Sequence, residues 1–267
     1  MQNTKNVSQP DYHSFVPYGW LEIPVHSSWE RLLQPRVLEL LARIAYLVGD
    51  QAAPQPSWIL RFLTTDLHQL KIVVIGQDPY PGVGAATGRA FEVGHLKSWT
   101  EPFRQVSLKN MIRLLWCVKK QITPYSGLEE YRKVPGFSVV RREIEEGRFA
   151  LAKPGLLFSS WEDQGVLLLN TSLTIANGKS GIHQAIWAPF TSIVIEYMVA
   201  QRPDLIWFLW GAHARSLAHA IKEGTIYESN HPMMCSEKAG NDFLRNPCFH
   251  ETSTIVNWLG TDNPDKS

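Results

Sequence analysis

The chain has 267 residues, of which 44% are hydrophobic and 19% charged. That balance belongs to a folded globular protein with a sizeable core and excludes a disordered or fibrous chain. A formal net charge of +1 neither demands nor rules out a polyanionic partner, because a basic face can coexist with an acidic back. Cys117, Cys235 and Cys248 cannot all pair and have no C-x-x-C spacing. Reduced thiols in an intracellular protein follow, rather than a zinc site or a cysteine-held cluster. The N-terminus MQNTKNVSQPDYHSF lacks the apolar core of a secretory signal, and no run approaches the roughly 18 apolar residues of a membrane span. A soluble protein is expected.

Residues 1–18 read as a polar arm, and 19–267 as one domain. PRVLELLARIAYLVGD (35–50) has helical spacing between an opening Pro and a closing Gly-Asp. WILRFL predicts a short helix. LKIVVIG (70–76) is continuously apolar and β-branched, the pattern of a parallel strand covered on both faces. GVLLLN (165–170), LIWFLWG (205–211) and TIYESN (225–230) are read the same way. APFTSIVIEYMVAQ (188–201) and AHARSLAHAIKEG (212–224) are predicted helices between them. The segment 94–160 is the least legible; within it KNMIRLLWCVKKQI (109–122) is helix-like and RREIEEGRF (141–149) reads as a solvated charged face. The order implies an α/β fold, with a mainly parallel four-stranded sheet flanked by helices on both faces. Right-handed crossovers then bring all four strand C-termini to one edge, where open α/β sheets hold ligands.

Each strand ends there in a polar or glycine-rich stretch: GQDPY, LNTS, WGAHA and NHP. Gly76, Gly82, Gly84 and Gly88 do not match a dinucleotide-binding turn, because the spacing after Gly82 is G-x-G-x-x-x-G and prolines interrupt it. Alone, Asp78 is ordinary Asp-Pro turn chemistry. Beside it, Asn170 can donate and accept together, His231 offers an imidazole, and Tyr80 and Phe91 offer flat walls. An acid, an amide, a histidine and two aromatics on one edge suit an extruded nucleobase.

GQDPY, LLLNTSLT, LWGAHA and NHP, in that order, resemble the motifs of the main single-domain family of uracil-DNA glycosylases, over about residues 19–259. The resemblance implies DNA base excision repair: hydrolysis of the N-glycosidic bond, release of uracil and an abasic site, with neither metal nor cofactor. Asp78 matches the aspartate that orients water and balances the sugar cation, and His231 the neutral donor to uracil O2. Asn170 matches the amide that reads uracil, Phe91 the stacking platform, Tyr80 the ring that bars thymine, and Gln77 a residue framing the pocket. Gly211, Ala212, Ser236 and, more loosely, Ser107 match DNA-backbone contacts. Lys109, Arg215 and Lys238 are further cations, equally consistent with solvated surface.

Three departures stand out. Pro81 replaces the usual water-side histidine. HPMMCS replaces HPSPLS, so that Cys235, a smaller wedge, aligns with the wedging leucine; the readings are that Met233 or Met234 fills the gap, that flipping relies on capturing spontaneous openings, or that the two methionines pack in the core. The 94–160 segment is enlarged. Single- or double-stranded uracil-containing DNA is the expected partner, the family's protein inhibitor is expected to bind weakly, and a monomer is expected. Localisation would be cytoplasmic in a bacterium, with a nucleus or a viral host compartment as alternatives. A glycosylase of altered base specificity is a further reading, as is a uracil-DNA binding or scaffold protein with reduced catalysis.

Overall fold

The computed structural model describes residues 19–260 apart from Gln51 and Asn177; the polar arm expected at 1–18 lies outside the described residues. Helix α1 (Pro35–Val48) begins on a proline, whose missing N–H is not needed in the first turn, and stops at Gly49. Strand β1 (Ala52–Ala53) and helix α2 (Pro56–Ile59) follow. The WILRFL run splits between the end of α2 and a 3-10 turn at Arg61–Thr64. Strand β2 (Ile72–Gly76) is buried throughout. Residues 77–105 form turns without helix or strand, so no helix follows the glycines after β2. Helices α3 (Val106–Lys120), α4 (Leu128–Arg132), α5 (Phe137–Glu145) and α6 (Pro154–Asp163) fill the illegible segment. Strand β3 (Val166–Asn170), the short β4 (Ile175–Ala176), helix α7 (Gln184–Gln201), strand β5 (Ile206–Trp210), helix α8 (Ala212–Arg215), strand β6 (Thr225–Ser229) and helix α9 (Cys248–Glu251) complete the order.

The main sheet runs β3-β2-β5-β6, all parallel, and β1 pairs with β4 in a separate antiparallel pair. Alternation along the strands assigns residues to two cores. Val73, Ile75, Leu167, Leu169, Trp207 and Leu209 pack against α1 and α7. Ile72, Val74, Leu168, Phe208 and Trp210 pack against α3, α6 and α9. Helices therefore cover both faces, as expected from the apolar runs. Among the described residues no helix is long and apolar enough to cross a membrane.

Three expectations need correction. β6 is not a fully buried strand: Thr225 and Glu228 are exposed, because β6 pairs only with β5 and forms the sheet edge. The helix expected at 212–224 is only α8 plus a 3-10 turn at Ala218–Ala220. There Ser216 Oγ donates to the His213 carbonyl at 2.7 Å, and His219 Nδ1 lies 2.5 Å from the Ser216 carbonyl. These side chains occupy carbonyls that a continuing helix would use. Helix α7 starts four residues before the expected 188, and Pro189 lies inside it.

Candidate active site

The sheet register puts Gly76 opposite Asn170 and Trp210 opposite Ser229. Asn170 and the residues that follow Gly76 and Ser229 meet at a cleft of about 270 Å³ whose walls include Gln77, Asp78, Tyr80, Phe91, Ser107, Asn170, His231 and Met233. Eight of the residues singled out in the sequence are thus brought together. Gly211 and Ala212 line an adjoining recess of about 310 Å³ that shares Gln77 and His231 with the cleft.

Gly76 makes room for Asn170. A Cβ at position 76 would lie 2.3 Å from Asn170 Oδ1 and 2.8 Å from Ala90 Cβ, closer than packed atoms approach. Asn170 is buried at 3% exposure, and its side chain bonds no described residue. A buried amide that bonds no described residue has both a donor and an acceptor to offer a ligand.

Phe91 sits in the left-handed backbone region, at φ +64°, a conformation that costs a bulky residue of order 1–3 kcal/mol. Its neighbours hold it there. Ala90 N donates to the Leu168 carbonyl at 3.0 Å, tying the loop to β3. Arg89 and Glu92, both buried, pair at 3.1 Å, and Thr87 Oγ1 donates to Glu92 at 2.6 Å. Arg89 and Arg61 both bind Glu162 of α6. Burial and these guanidinium partners act oppositely on Glu162, and the partners prevail, so its carboxyl lies below the usual range. The ring of Phe91 lies 5.6 Å from that of Trp210 and 6.5 Å from that of His231.

His231 follows the edge strand β6. Met233 N donates to His231 Nδ1 at 3.1 Å, so that nitrogen keeps its lone pair and the ring proton sits on Nε2. Burial lowers the imidazole pKa below its ordinary value, which keeps the ring neutral at pH 7. Gly211, at φ +94°, lets the ring approach: a Cβ there would be 3.0 Å from His231 Cβ and 3.1 Å from Cδ2.

Asp78 is held from one side. Ser180 Oγ donates to Asp78 Oδ2 at 2.6 Å and Gly181 N donates to the same oxygen at 3.1 Å. Oδ1 is buried and accepts no hydrogen bond from a described residue. Behind it, Gln184 Nε2 meets His213 Nδ1 at 2.6 Å, His213 Nε2 meets Thr171 Oγ1 at 2.6 Å, and Thr171 Oγ1 donates to the Gln77 carbonyl at 3.3 Å. Ser172 N adds a 2.9 Å bond to that carbonyl. This relay fixes the backbone from which Asp78 projects. The Tyr80 hydroxyl is buried beside Ser107, outside hydrogen-bond geometry. Burial raises its pKa far above the usual phenol value, so Tyr80 is a neutral wall.

Ser180, Gly181 and Gln184 escaped the sequence reading. Their stretch, KSGIHQ, carries no motif, and Ser180 lies 102 residues from Asp78; only the fold joins them. At the mouth, Met233 and Met234 are 57% and 71% exposed. They do not pack in the core. Cys235 turns inward against the α3 side, with Sγ 3.6 Å from the Pro232 carbonyl. Burial pushes its thiol up to about 12, so it is neither a protruding wedge nor a thiolate. Lys109 lies over the rings of Phe103 and Phe137, at 5.1 and 5.9 Å from their centroids. Among the described residues, no group of three or more His, Cys, Asp or Glu side chains is placed to hold a metal ion.

A partly uncompensated carboxylate and a neutral imidazole N–H thus share a flat-walled cleft with a free amide, at the C-terminal edge of a parallel sheet. That is the equipment of an α/β enzyme that separates charge across a bond to a planar ring. The chain belongs to the uracil DNA glycosylase superfamily, whose family model matches residues 62–252. It is 33% identical to the uracil-DNA glycosylase of Azotobacter vinelandii, over 91% of this chain and 90% of that protein. Among solved structures, the wild-type UNG of Nitratifractor salsuginis superposes with a TM-score of 0.63 at 22% identity, covering 89% of this chain and 94% of that one, a likeness of fold. Mimivirus UNG Y322L in complex with UGI matches at 25% identity and a TM-score of 0.54, covering 78% and 70% of the two chains.

Proposed function

We infer that the chain excises uracil from DNA, hydrolysing the N-glycosidic bond to release the free base and leave an abasic site for repair. Asp78 and His231 stand at the two ends of the breaking bond. As the bond between C1′ and N1 lengthens, its electron pair moves to the base and positive charge grows on the sugar. The Asp78 carboxylate stabilises the sugar cation and aligns a water for attack at C1′; the water's proton passes to solvent or to the carboxylate. His231 Nε2–H stabilises the anionic base at O2. Fixed charges and donors of this kind are worth about 3–4 kcal/mol each in a site closed to water. Asn170 reads the uracil edge, Phe91 stacks on the ring, and Tyr80 fills the space a 5-methyl group would need.

The observation that supports this most is the asymmetry of Asp78. Two donors grip Oδ2, while buried Oδ1 accepts a hydrogen bond from no described residue. A purely structural carboxylate would have both oxygens satisfied. The test is release of free uracil from a single-uracil DNA strand by the purified protein. Turnover supports the reading, whereas binding of uracil-DNA without release would make the chain a reader instead.

Ser180 is a positioning residue in this scheme, because its hydroxyl sets the rotamer of Asp78. Ser180→Ala should lower kcat about 10-fold, the lower end for losing a hydrogen bond to a charged group, with KM unchanged. Ser180→Thr should restore most of the rate. Equal kcat in Ser180→Ala and wild type would remove the role.

The altered loop bears on inhibition as well. Met234 is exposed and Cys235 is turned inward where the family presents proline and leucine, so a protein inhibitor that clasps this loop loses its apolar anchor. Its inhibition constant is expected to be weaker by at least about 10-fold, or 1.4 kcal/mol. A competition titration against DNA measures this, and undiminished inhibition would refute it.

A further inference from the structure

The loop carrying Met233 and Met234 is anchored on both sides of these methionines: the first anchor, Asn110, comes from the segment before β3, and the second, Asp242, is itself held by Tyr131 of that segment. On the N-terminal side, Asn110 Nδ2 of α3 donates to the Pro232 carbonyl at 2.6 Å. Arg113, one turn on, holds Asn110 Oδ1 at 2.8 Å and the Pro135 carbonyl at 2.6 Å. On the C-terminal side, Ser236 N donates to Asp242 Oδ2 at 2.6 Å. Asp242 is 1% exposed, and its Oδ1 accepts from Tyr131 Oη of α4 at 3.0 Å and from Leu244 N at 2.9 Å. The Arg245 guanidinium lies 4.6 Å from the Tyr131 ring centroid and donates to the Glu237 carbonyl at 3.3 Å. Arg132, the neighbour of Tyr131, pairs with Glu237 at 3.1 Å.

Between these anchors the backbone is fixed while the two methionine side chains stand in solvent. A flexible loop with apolar tips would fold them back onto the protein. Burial and the Asp242 charge raise the Tyr131 phenol pKa well above its usual value, so the hydroxyl remains a donor across the working pH range.

We propose that the 121–149 segment is a strut for the methionine loop, with Tyr131 as a positioning residue that acts through Asp242 on the Ser236 backbone and so holds Met233 and Met234 ready to enter duplex DNA. The proposal rests on the reading of this loop as the part that opens the base stack. A stiff wedge matters where a paired base must be levered out, because a yielding loop would give way before the stack does. Uracil in a single strand needs no such leverage. The strut therefore acts on one substrate form and not the other.

The experiment compares uracil release from matched duplex and single-stranded oligonucleotides, using full-length protein well below the melting temperature of every variant. Tyr131→Phe keeps the ring under Arg245 and removes only the hydroxyl. It should lower kcat/KM on duplex about 10-fold, the loss of one charge-assisted bond, and leave the single strand within about twofold of wild type. Met234→Ala, at the exposed methionine outside the cleft wall, should show the same selective loss. If Tyr131→Phe reduces both substrates equally, or neither, while the methionine variant loses duplex activity selectively, the strut is refuted and the wedge stands. If the methionine variant keeps the wild-type ratio of duplex to single-strand activity, the wedge reading fails and the strut fails with it.

Discussion

Replacing Asp78 with Asn should lower kcat for uracil release about 1,000-fold, the upper end for removing one preorganised electrostatic group, while the affinity for uracil-containing DNA stays close to wild type. The substitution keeps the size and the grip of Ser180 and Gly181 on one side-chain oxygen. It removes the negative charge that buried Oδ1 would otherwise present. Because that charge is needed only as the sugar becomes cationic, the loss falls on kcat and not on KM. Single-turnover release, measured beside equilibrium binding to the same oligonucleotide, separates the two. A variant that turns over like wild type would take Asp78 out of the mechanism, and one that loses binding and rate together would make it a structural residue.

His231→Ala should cost about 100-fold in kcat, as for the loss of one oxyanion donor, and the pH profile identifies the donor's state. Burial lowers the His231 pKa, and Met233 N needs Nδ1 as an acceptor. The neutral ring is thus the form the fold prefers, and under the proposed mechanism it is the active form. Since the folded pKa lies below the unfolded one, the linked stability is present above the unfolded pKa and is lost as pH falls through the folded value. Activity should stay level from mildly alkaline pH through neutrality and fall only below the ordinary imidazole range. His231→Ala should abolish that acid limb. A wild-type optimum on the acid side, with activity falling as the ring deprotonates, would mean that imidazolium is the working form.

The strands were legible because parallel strands covered on both faces read as unbroken apolar runs, as in IVVIG and the VLLL that precedes Asn170. Their polar ends were equally plain, since a buried run broken by Asp, Asn or His at one sheet edge has few structural explanations. Edge strand β6 misled because its few apolar residues resemble those of a covered strand, whereas only one side is paired. The helix expected at 212–224 failed because local side-chain bonds from Ser216 and His219 compete with the helical ladder, a conflict invisible to apolar spacing. Ser180, Asn110, Tyr131 and Asp242 were hidden for another reason. Each gains its meaning from a partner about a hundred residues away, and nothing local marks them.

The pairing of Gly76 with Asn170 has a consequence for how freely this protein can change. A slip of β3 by one residue would exchange the strand's two faces, sending Leu167 and Leu169 to the wrong core. The same slip would rotate Asn170 out of the cleft and bring a leucine against Gly76. With Asn170 in its proposed role, error in reading the base and error in packing the interior become one event. A change that shifts this register is therefore expected to show first as a loss of folding stability.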